Sequence, residues 1–333
     1  MKGLFITKKD TLGFLECAEP VLGPYECLVE VGACGICNST DLKIIEGRFK
    51  KGPFPILLGH ESAGYIVRLG EKVTSYKEGD LVLRPRLYDK DLSIPGCVRF
   101  GGFSQFAVVT DVWAKQQMPY NSFPHPQQKV PKGFSETYAA ALITLKENLN
   151  TVKKINIQQG ESLAIVGTGP VAQSMVACAK LLGIAPVVVF GRHDIWAEKF
   201  SKLGADLYVS GMNYPEEVHR ILVNGGFNHV LEAVGSNDAL KRCLEIVKGD
   251  GTVHIYGVPA DDEPFISTYS LDPRVARVKV IEAEAHDEIL KWIDEGRLNL
   301  DKWVSHILPW SDYKHAFDLV STKIADKVVL KID

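Results

Sequence analysis

Residues 162–172 read Ser-Leu-Ala-Ile-Val-Gly-Thr-Gly-Pro-Val-Ala, a short apolar run that ends in a glycine-rich turn. The apolar run predicts a buried strand, and residues 171–182, which end before Gly183, predict a helix. A G-x-G-x-x-G/A turn between a strand and a helix is typical of a dinucleotide-binding unit. This segment therefore predicts the first strand, turn and helix of a Rossmann fold.

Each small residue of the turn has a separate task in such a unit. Gly167 makes the tight turn, Gly169 lets the backbone approach a pyrophosphate, and Ala172 is small enough for the helix to pack on the strand. The helix begins at Pro170 and Val171, where backbone N–H groups lack helical partners and favour an anion. We therefore expect the cofactor's pyrophosphate at this helix N-terminus.

Outward from the turn, strand and helix signals alternate. Residues 136–153 and 195–203 predict helices, and residues 186–190, 230–231 and 253–256 predict strands. This alternation indicates a doubly wound parallel sheet of the α/β class. The first hundred residues instead contain short strands broken by glycine and proline, which predict a small barrel or sandwich. After residue 283 the pattern is helical again, and it ends in a strand over 327–332.

The residues after the second strand of the α/β region bear on cofactor choice. An NAD enzyme carries a carboxylate there for the ribose 2′-hydroxyl, whereas this chain has Gly191, Arg192 and His193. An arginine supplies a bidentate cation for a 2′-phosphate. The pattern thus favours NADP(H) over NAD(H). The alternative is that Arg192 is a solvated surface charge and that Asp194, three residues late, reaches the ribose.

Length and composition limit the possible classes of function. The chain has 333 residues, enough for two domains, and its formal net charge of −3 argues against a nucleic-acid-binding protein. No apolar run is long enough to span a membrane, and the N-terminus lacks a signal peptide, so we expect a cytoplasmic protein without a membrane partner. Seven scattered cysteines do not form a disulfide framework.

Two short motifs in the first 61 residues contain possible metal ligands. Cys37 ends a Gly-Ile-Cys run, and His60 stands between Gly59 and Glu61. Thiolate and imidazole are ligands that Zn²⁺ prefers, and a catalytic zinc keeps one coordination position open. Each motif is weak by itself, but their occurrence before a dinucleotide fold predicts a catalytic metal site.

With these motifs the chain resembles the zinc-dependent medium-chain dehydrogenase/reductase family of alcohol and polyol dehydrogenases, over nearly its whole length. Further shared motifs are Gly79-Asp80, Gly101-Gly102-Phe103, Leu203-Gly204-Ala205-Asp206, Glu232-Ala233-Val234-Gly235 and His315-Ala316-Phe317. The resemblance implies a GroES-like, β-rich catalytic domain formed by residues 1–145 and 283–333. It also implies an inserted Rossmann domain over residues 146–282.

The resemblance implies roles for several residues of the first domain. Cys37 and His60 match the first two zinc ligands, and Glu61 matches a glutamate beside the metal that ligates it in some members. The hydroxyl that accepts the alcohol proton normally stands two residues after the cysteine and directly before an aspartate. Here Ser39 keeps the first spacing and Thr40 keeps the second, and we favour Thr40 because a one-residue bulge absorbs the insertion.

The chain departs from the family pattern at three places. The third zinc ligand, a cysteine or glutamate in the family, is Thr144, so we expect Glu147 on the same helical face as third ligand, with Glu61 as the alternative. Glu147 could equally be a surface carboxylate. The lobe of the structural zinc, residues 84–100, has only Cys97, which predicts one catalytic zinc and no structural zinc. Lys43 stands where many members have a histidine that passes the proton to solvent.

These inferences predict an enzyme that transfers a hydride between an alcohol (a sugar, polyol or secondary alcohol) and NADP(H). We expect a small alcohol or carbonyl compound as substrate and other copies of the chain as partners in a homo-oligomer. One alternative is a zinc-free quinone or enone reductase of the same fold, which would not need Cys37 and His60. The other is a non-catalytic NADP(H)-binding protein, which the missing ligand at Thr144 would suit.

Overall fold

The computed structural model describes residues 1–49, 52–211, 214–323 and 325–333, which form two compact units. The first unit comprises Met1–Thr144 and His286–Asp333, and the second comprises Leu145–Ala285. None of the helices within the described ranges combines the length and the apolar composition that crossing a membrane would require.

The described strands and helices follow one another along the chain with short connections. The strands are β1 (Lys2–Lys8), β2 (Thr11–Glu16), β3 (Glu26–Gly35), β4 (Ile56–Leu57), β5 (Glu61–Leu69), β6 (Leu81–Leu83), β7 (Cys97–Val98), β8 (Phe106–Thr110), β9 (Lys129–Val130), β10 (Leu163–Val166), β11 (Val187–Gly191), β12 (Leu207–Ser210), β13 (Phe227–Glu232), β14 (Val247–Ile255), β15 (Val275–Arg277), β16 (Val304–Pro309) and β17 (Lys327–Lys331). The helices are α1 (Thr40–Ile45), α2 (Val112–Lys115), α3 (Glu136–Ile155), α4 (Pro170–Leu181), α5 (Ala197–Lys202), α6 (Glu216–Val223), α7 (Asn237–Ile246), α8 (Ser267–Ser270), α9 (His286–Asp294) and α10 (Tyr313–Ser321).

The second unit is a parallel α/β sheet. Its described strands lie in the order β12-β11-β10-β13-β14-β15 and pair in parallel. This is the strand order of the doubly wound dinucleotide-binding fold. All four residues of β10 are buried, as expected of a central strand that is covered on both faces. The predicted Rossmann fold is confirmed.

The first unit is rich in β-structure, and its two chain segments meet in one sheet. In that sheet β3 pairs antiparallel with β5, β8 and the C-terminal strand β17. The register places Gly35 opposite both Glu61 and Val329. Buried side chains from both segments, including Leu4, Phe317 and Leu330, form one hydrophobic cluster. This packing ties the last strand of the chain to the end of β3, and the predicted GroES-like class is confirmed.

A buried histidine pair lies in the second unit at the start of β13 and within β14. His254 is 8% exposed, and its Nε2 lies 3.1 Å from His229 Nδ1. His229 Nε2 in turn lies 2.9 Å from Glu161 Oε2. Burial, and then the charge of His229, lower the pKa of His254 to about 4. His254 is therefore a hydrogen-bonded core residue that is neutral at pH 7.

This histidine should make the fold less stable in weak acid. Above pH 6.5 the His254 imidazole is neutral in both the folded and the unfolded chain; as the pH falls to about 4, only the unfolded chain binds the proton. The free energy of unfolding should therefore decrease by up to about 3 kcal/mol over this window. Urea unfolding at a series of pH values should show that His254→Gln flattens this part of the profile. The variant His219→Gln, at an exposed position of the same unit, should not change the profile.

Candidate metal and dinucleotide sites

The pairing of β3 with β5 brings the two cysteine and histidine motifs together. Cys37 follows the end of β3, and His60 immediately precedes β5, whose first residue Glu61 pairs with Gly35. Residues separated by more than twenty positions in the sequence therefore lie at one end of the same sheet. Helix α1 begins three residues after Cys37 and ends the extended segment there.

The glycine before His60 is required by a close crossing of two backbone segments. Gly59 has a φ of +100°, and a Cβ at this position would lie 2.4 Å from the backbone nitrogen of Phe103. The N–H of Gly102 also donates a hydrogen bond of 2.8 Å to the carbonyl of Gly59. Only glycine combines this conformation with this contact. The Gly101-Gly102-Phe103 motif thus helps to hold the backbone next to His60.

Three potential metal ligands converge at this place. One donor atom each from Cys37, His60 and Glu61 lies within 4.8 Å of the others. Among the described residues this is the group of three or more such side chains that could hold a metal ion. A thiolate, an imidazole and a carboxylate are the donor types found in catalytic zinc sites, so these residues fit Zn²⁺.

Asp41 orients both the cysteine segment and the histidine ring. Its carboxylate is fully buried and accepts a hydrogen bond of 2.9 Å from the backbone N–H of Cys37. Its other oxygen lies 3.5 Å from Nδ1 of His60. A carboxylate at Nδ1 fixes the proton there and leaves Nε2 as the ligating nitrogen. The sequence analysis used Asp41 only to align the preceding hydroxyl and missed this role.

The charges of this cluster favour the ligating form of the cysteine. Burial by itself would raise the pKa of the Cys37 thiol, but the hydrogen bond and the charge of His60 lower it. Burial likewise would lower the pKa of His60, but the charge of Asp41 and the contacts with Asp41 and Cys37 raise it well above its usual value. Cys37 is thus set up as a thiolate, the form that binds metals.

A lysine from the C-terminal strand neutralises the third candidate ligand. The ammonium of Lys327 forms a buried ion pair with Oε2 of Glu61 and donates a hydrogen bond of 3.3 Å to the carbonyl of Ile36. Burial would raise the pKa of Glu61, but the charge of Lys327, that of His60 and a contact with Thr144 lower it. Oε1 of the same carboxylate faces His60 Nε2 at 3.9 Å. Lys327 was not identified from the sequence.

The structure separates the remaining candidates of this site. The hydroxyl of Ser39 lies 3.7 Å from the sulfur of Cys37, whereas Thr40 begins helix α1. Thr144, at the position of the family's third ligand, is buried and contacts Glu61. Glu147 belongs to the second unit, where its carboxylate accepts a hydrogen bond of 3.4 Å from Tyr256. Glu147 therefore stays a prediction as a ligand, and Glu61 has the structural support.

The predicted structural-zinc lobe contains one cysteine with a different environment. Cys97 is buried in β7, and its sulfur lies 3.4 Å from the carbonyl of Pro53, to which it donates. Burial raises the pKa of this thiol, which disfavours the thiolate. Cys97 therefore has the properties of a core residue.

The glycine-rich turn in the second unit leaves space for an anion at the start of α4. Gly167 has a φ of +135°, and Gly169 is the N-cap, where no side chain caps the helix. A Cβ at Gly169 would meet nothing within 4 Å. Pro170 occupies the first helical position, next to Val171, and its missing N–H costs no hydrogen bond there. This end of the helix fits the pyrophosphate of a dinucleotide.

The residues predicted to select the cofactor lie at the end of β11. Gly191 is the last residue of that strand, and Arg192 and His193 follow it at exposed positions. The guanidinium of Arg192 is 75% exposed and lies 4.0 Å from the exposed carboxylate of Asp238. Such a surface pair contributes little stability, so Arg192 can turn towards a phosphate.

Comparison with known proteins agrees with both parts of this description. A sequence profile for the "Alcohol dehydrogenase GroES-like domain" matches residues 23–119, and one for "Zinc-binding dehydrogenase" matches residues 170–291. An uncharacterised zinc-type alcohol dehydrogenase-like protein of Escherichia coli (strain K12) is 25% identical, over 96% of this chain and 95% of its own. The class-3 alcohol dehydrogenase of Myxine glutinosa is 26% identical, over 92% and 91%.

The fold comparison also covers the entire chain. An alcohol dehydrogenase from Thermus sp. ATN1 has the same fold with a TM-score of 0.78, 24% sequence identity and coverage of 100% of both chains. Strand order, the cysteine–histidine cluster and the glycine-rich turn occur together with both profile matches. The chain belongs to the zinc-dependent medium-chain dehydrogenase/reductase family and is an oxidoreductase of its alcohol dehydrogenase type.

Proposed function

We propose that this enzyme is a zinc-dependent dehydrogenase that transfers a hydride between a sugar, polyol or secondary alcohol and NADP(H). The observation that carries the proposal is the convergence of Cys37, His60 and Glu61 on one point of the first unit. In this proposal the first unit, predicted as 1–145 and 283–333, binds the alcohol. The second unit, predicted as 146–282, binds the dinucleotide.

The first unit would hold one Zn²⁺ through Cys37, His60 and Glu61. Oε1 of Glu61 is the oxygen available to the metal, because Lys327 pairs with Oε2. When bound, zinc supplies a Lewis acid that lowers the pKa of an alcohol or polarises a carbonyl. Glu147, the other candidate from the sequence, lacks a described contact within the first unit that would support it.

The protein's own residues orient the ligands and accept the proton. The buried carboxylate of Asp41 holds the N–H of Cys37 and the ring of His60, so neither needs to reorganise during the reaction. The hydroxyl oxygen of Ser39, 3.7 Å from the sulfur, would accept the proton of the alcohol. This contact leads us to prefer Ser39 to Thr40 for that task.

The second unit would bind the dinucleotide at the C-terminal ends of β10 and β11. Gly167, Gly169 and the start of α4 would receive the pyrophosphate, and Arg192 with His193 would receive a 2′-phosphate. The nicotinamide supplies the hydride acceptor or donor, and the enzyme supplies its position. The absence of a side chain at Gly191 is what supports NADP(H) over NAD(H).

Two coarser expectations complete the proposal. A glutamate among the metal ligands resembles the polyol dehydrogenase branch of the family, so we favour a polyol or sugar-like alcohol as substrate. The predicted homo-oligomer stays a prediction.

The metal site can be tested by exchanging one ligand atom. Cys37→Ser should lower bound zinc from about one ion per chain to a small fraction, because a hydroxyl is a much weaker ligand than a thiolate. It should also lower kcat for polyol oxidation with NADP⁺ by about a thousandfold, since the lost Lewis acid contributes several kcal/mol. Elemental analysis and steady-state kinetics measure the two effects.

The matched control is the other cysteine of the same short motif. Cys34 is fully buried, and its sulfur contacts the carbonyl of Gly35 at 3.6 Å. Cys34→Ala should keep both the zinc and the activity. A purified wild-type enzyme without zinc that reduces quinones or enones would contradict the proposal and favour the zinc-free reductase. Cofactor binding without turnover on any alcohol or carbonyl would favour the non-catalytic alternative.

The pairing of Lys327 with Glu61 predicts an unequal effect of two lysines on one strand. Lys327→Met removes the cation and leaves the Glu61 carboxylate buried, which should lower the free energy of unfolding by about 3–5 kcal/mol. Lys331→Met removes an exposed partner, 3.8 Å from Glu136, and should cost at most about 1 kcal/mol. Urea unfolding curves measure both variants. Equal losses would show that Lys327 does not act as the counter-charge of Glu61.

A further inference from the structure

The end of β11 has no room for any side chain, although the backbone there would allow one. A Cβ built on Gly191 would lie 2.0 Å from the hydroxyl oxygen of Tyr208 and 2.6 Å from Cγ2 of Thr168. Both distances are shorter than van der Waals contact permits. The φ of Gly191 is not positive, so it is the neighbouring side chains that require a glycine here.

Tyr208 is held in this position by two contacts. Its hydroxyl donates a hydrogen bond of 2.7 Å to the carbonyl of His193, in the segment that follows Gly191. Its ring stacks on the buried ring of Phe200, with a centroid distance of 5.6 Å and an interplanar angle of 15°. The tyrosine would have to lose both contacts to make room for a larger residue at position 191.

Sheet register explains why the hydroxyl reaches this place. In the parallel pair of β11 and β12, Gly191 lies opposite Ser210, and Tyr208 lies opposite Val189. Residues two apart in a strand share a face, so Tyr208 and Gly191 are diagonal neighbours on one face of the sheet. A long aromatic side chain spans such a diagonal.

The nearest acidic side chain does not offer a substitute. Asp194 forms a short hydrogen bond with the hydroxyl of Ser210 on β12. The carboxylate that would reach the ribose in an NAD enzyme is therefore absent at position 191 and engaged at position 194. The cation of Arg192 is left at the exposed end of the strand.

We propose that Tyr208 determines cofactor specificity by filling the space that a carboxylate side chain at position 191 would need. This inference rests on the proposed function, in which the second unit binds NADP(H). Tyr208 acts through the residue it excludes and through its hold on the His193 carbonyl, so it is a positioning residue. Removing the tyrosine and adding the acid should together exchange the preferred dinucleotide, whereas adding the acid alone should not.

Calorimetric titration of the full chain with NADP⁺ and with NAD⁺ tests this without any turnover. The wild type should bind NADP⁺ at least about tenfold more tightly than NAD⁺. The double variant Gly191→Asp/Tyr208→Ala should gain NAD⁺ affinity and lose NADP⁺ affinity, each by about tenfold, because the new carboxylate accepts the ribose hydroxyl and repels a phosphate. Gly191→Asp alone should gain no NAD⁺ affinity.

Two further pairs of variants separate charge and folding from specificity. Gly249 lies in β14 at a place where a Cβ would meet nothing within 4 Å, so Gly249→Asp/Tyr208→Ala adds the same charge elsewhere and should keep the NADP⁺ preference. Gly191→Ala should lower the midpoint of thermal unfolding in the wild type and lower it much less in the Tyr208→Ala background. The clash with Thr168 is common to both backgrounds and cancels.

Each outcome decides a separate point. Equal gains in NAD⁺ affinity from Gly191→Asp with and without Tyr208 would overturn the role of the tyrosine, as would a folded double variant with an unchanged preference. Additive effects of Gly191→Ala and Tyr208→Ala on the unfolding midpoint would overturn it as well. Binding of neither dinucleotide by the wild type would overturn the proposed function and this inference together.

Discussion

The buried carboxylate of Asp41 is the contact on which the geometry of the metal site depends. It is bonded to the backbone of Cys37 at 2.9 Å and lies 3.5 Å from His60 Nδ1, so one group fixes both a sulfur and a nitrogen ligand. A buried carboxylate is stable only with such partners. The contact also joins α1, which contains Asp41, to the segment before β5 and thereby links local helix formation to the site.

The charges around this carboxylate point to a divalent cation. Three negative groups, the thiolate of Cys37 and the carboxylates of Asp41 and Glu61, face the single ammonium of Lys327. With a neutral His60 as ligand, a doubly charged ion balances the remaining two charges. The protonation of His60 that its raised pKa indicates compensates only one of them. Buried charges are stable when they are paired or ligate a metal, and Zn²⁺ satisfies both the count and the donor types.

Short-range patterns predicted the parts of this protein that local physics determines. The glycine turn, the Cys37 and His60 motifs and the alternating strands follow from backbone sterics and periodicity over a few residues. The short strands β1, β2 and β12 were not predicted, because their mixed polar and apolar residues form strands only through pairing. Lys327 joins the site through the pairing of β17 with β3, a contact almost 300 residues apart that no local pattern reports. Helical periodicity pointed to Glu147, whereas the structure places Thr144 against Glu61.

The same distinction applies to cofactor choice. Reading Gly191 and Arg192 from the sequence explains which groups a 2′-phosphate could meet, but not why position 191 has stayed without a side chain. The reason lies on the neighbouring strand, where Tyr208 reaches diagonally and is anchored on the His193 carbonyl. Specificity in this fold is then a property of two packed strands: an acidic residue can enter at the end of β11 only if β12 makes room. A change of cofactor preference consequently requires two coupled substitutions, each unfavourable or ineffective without the other.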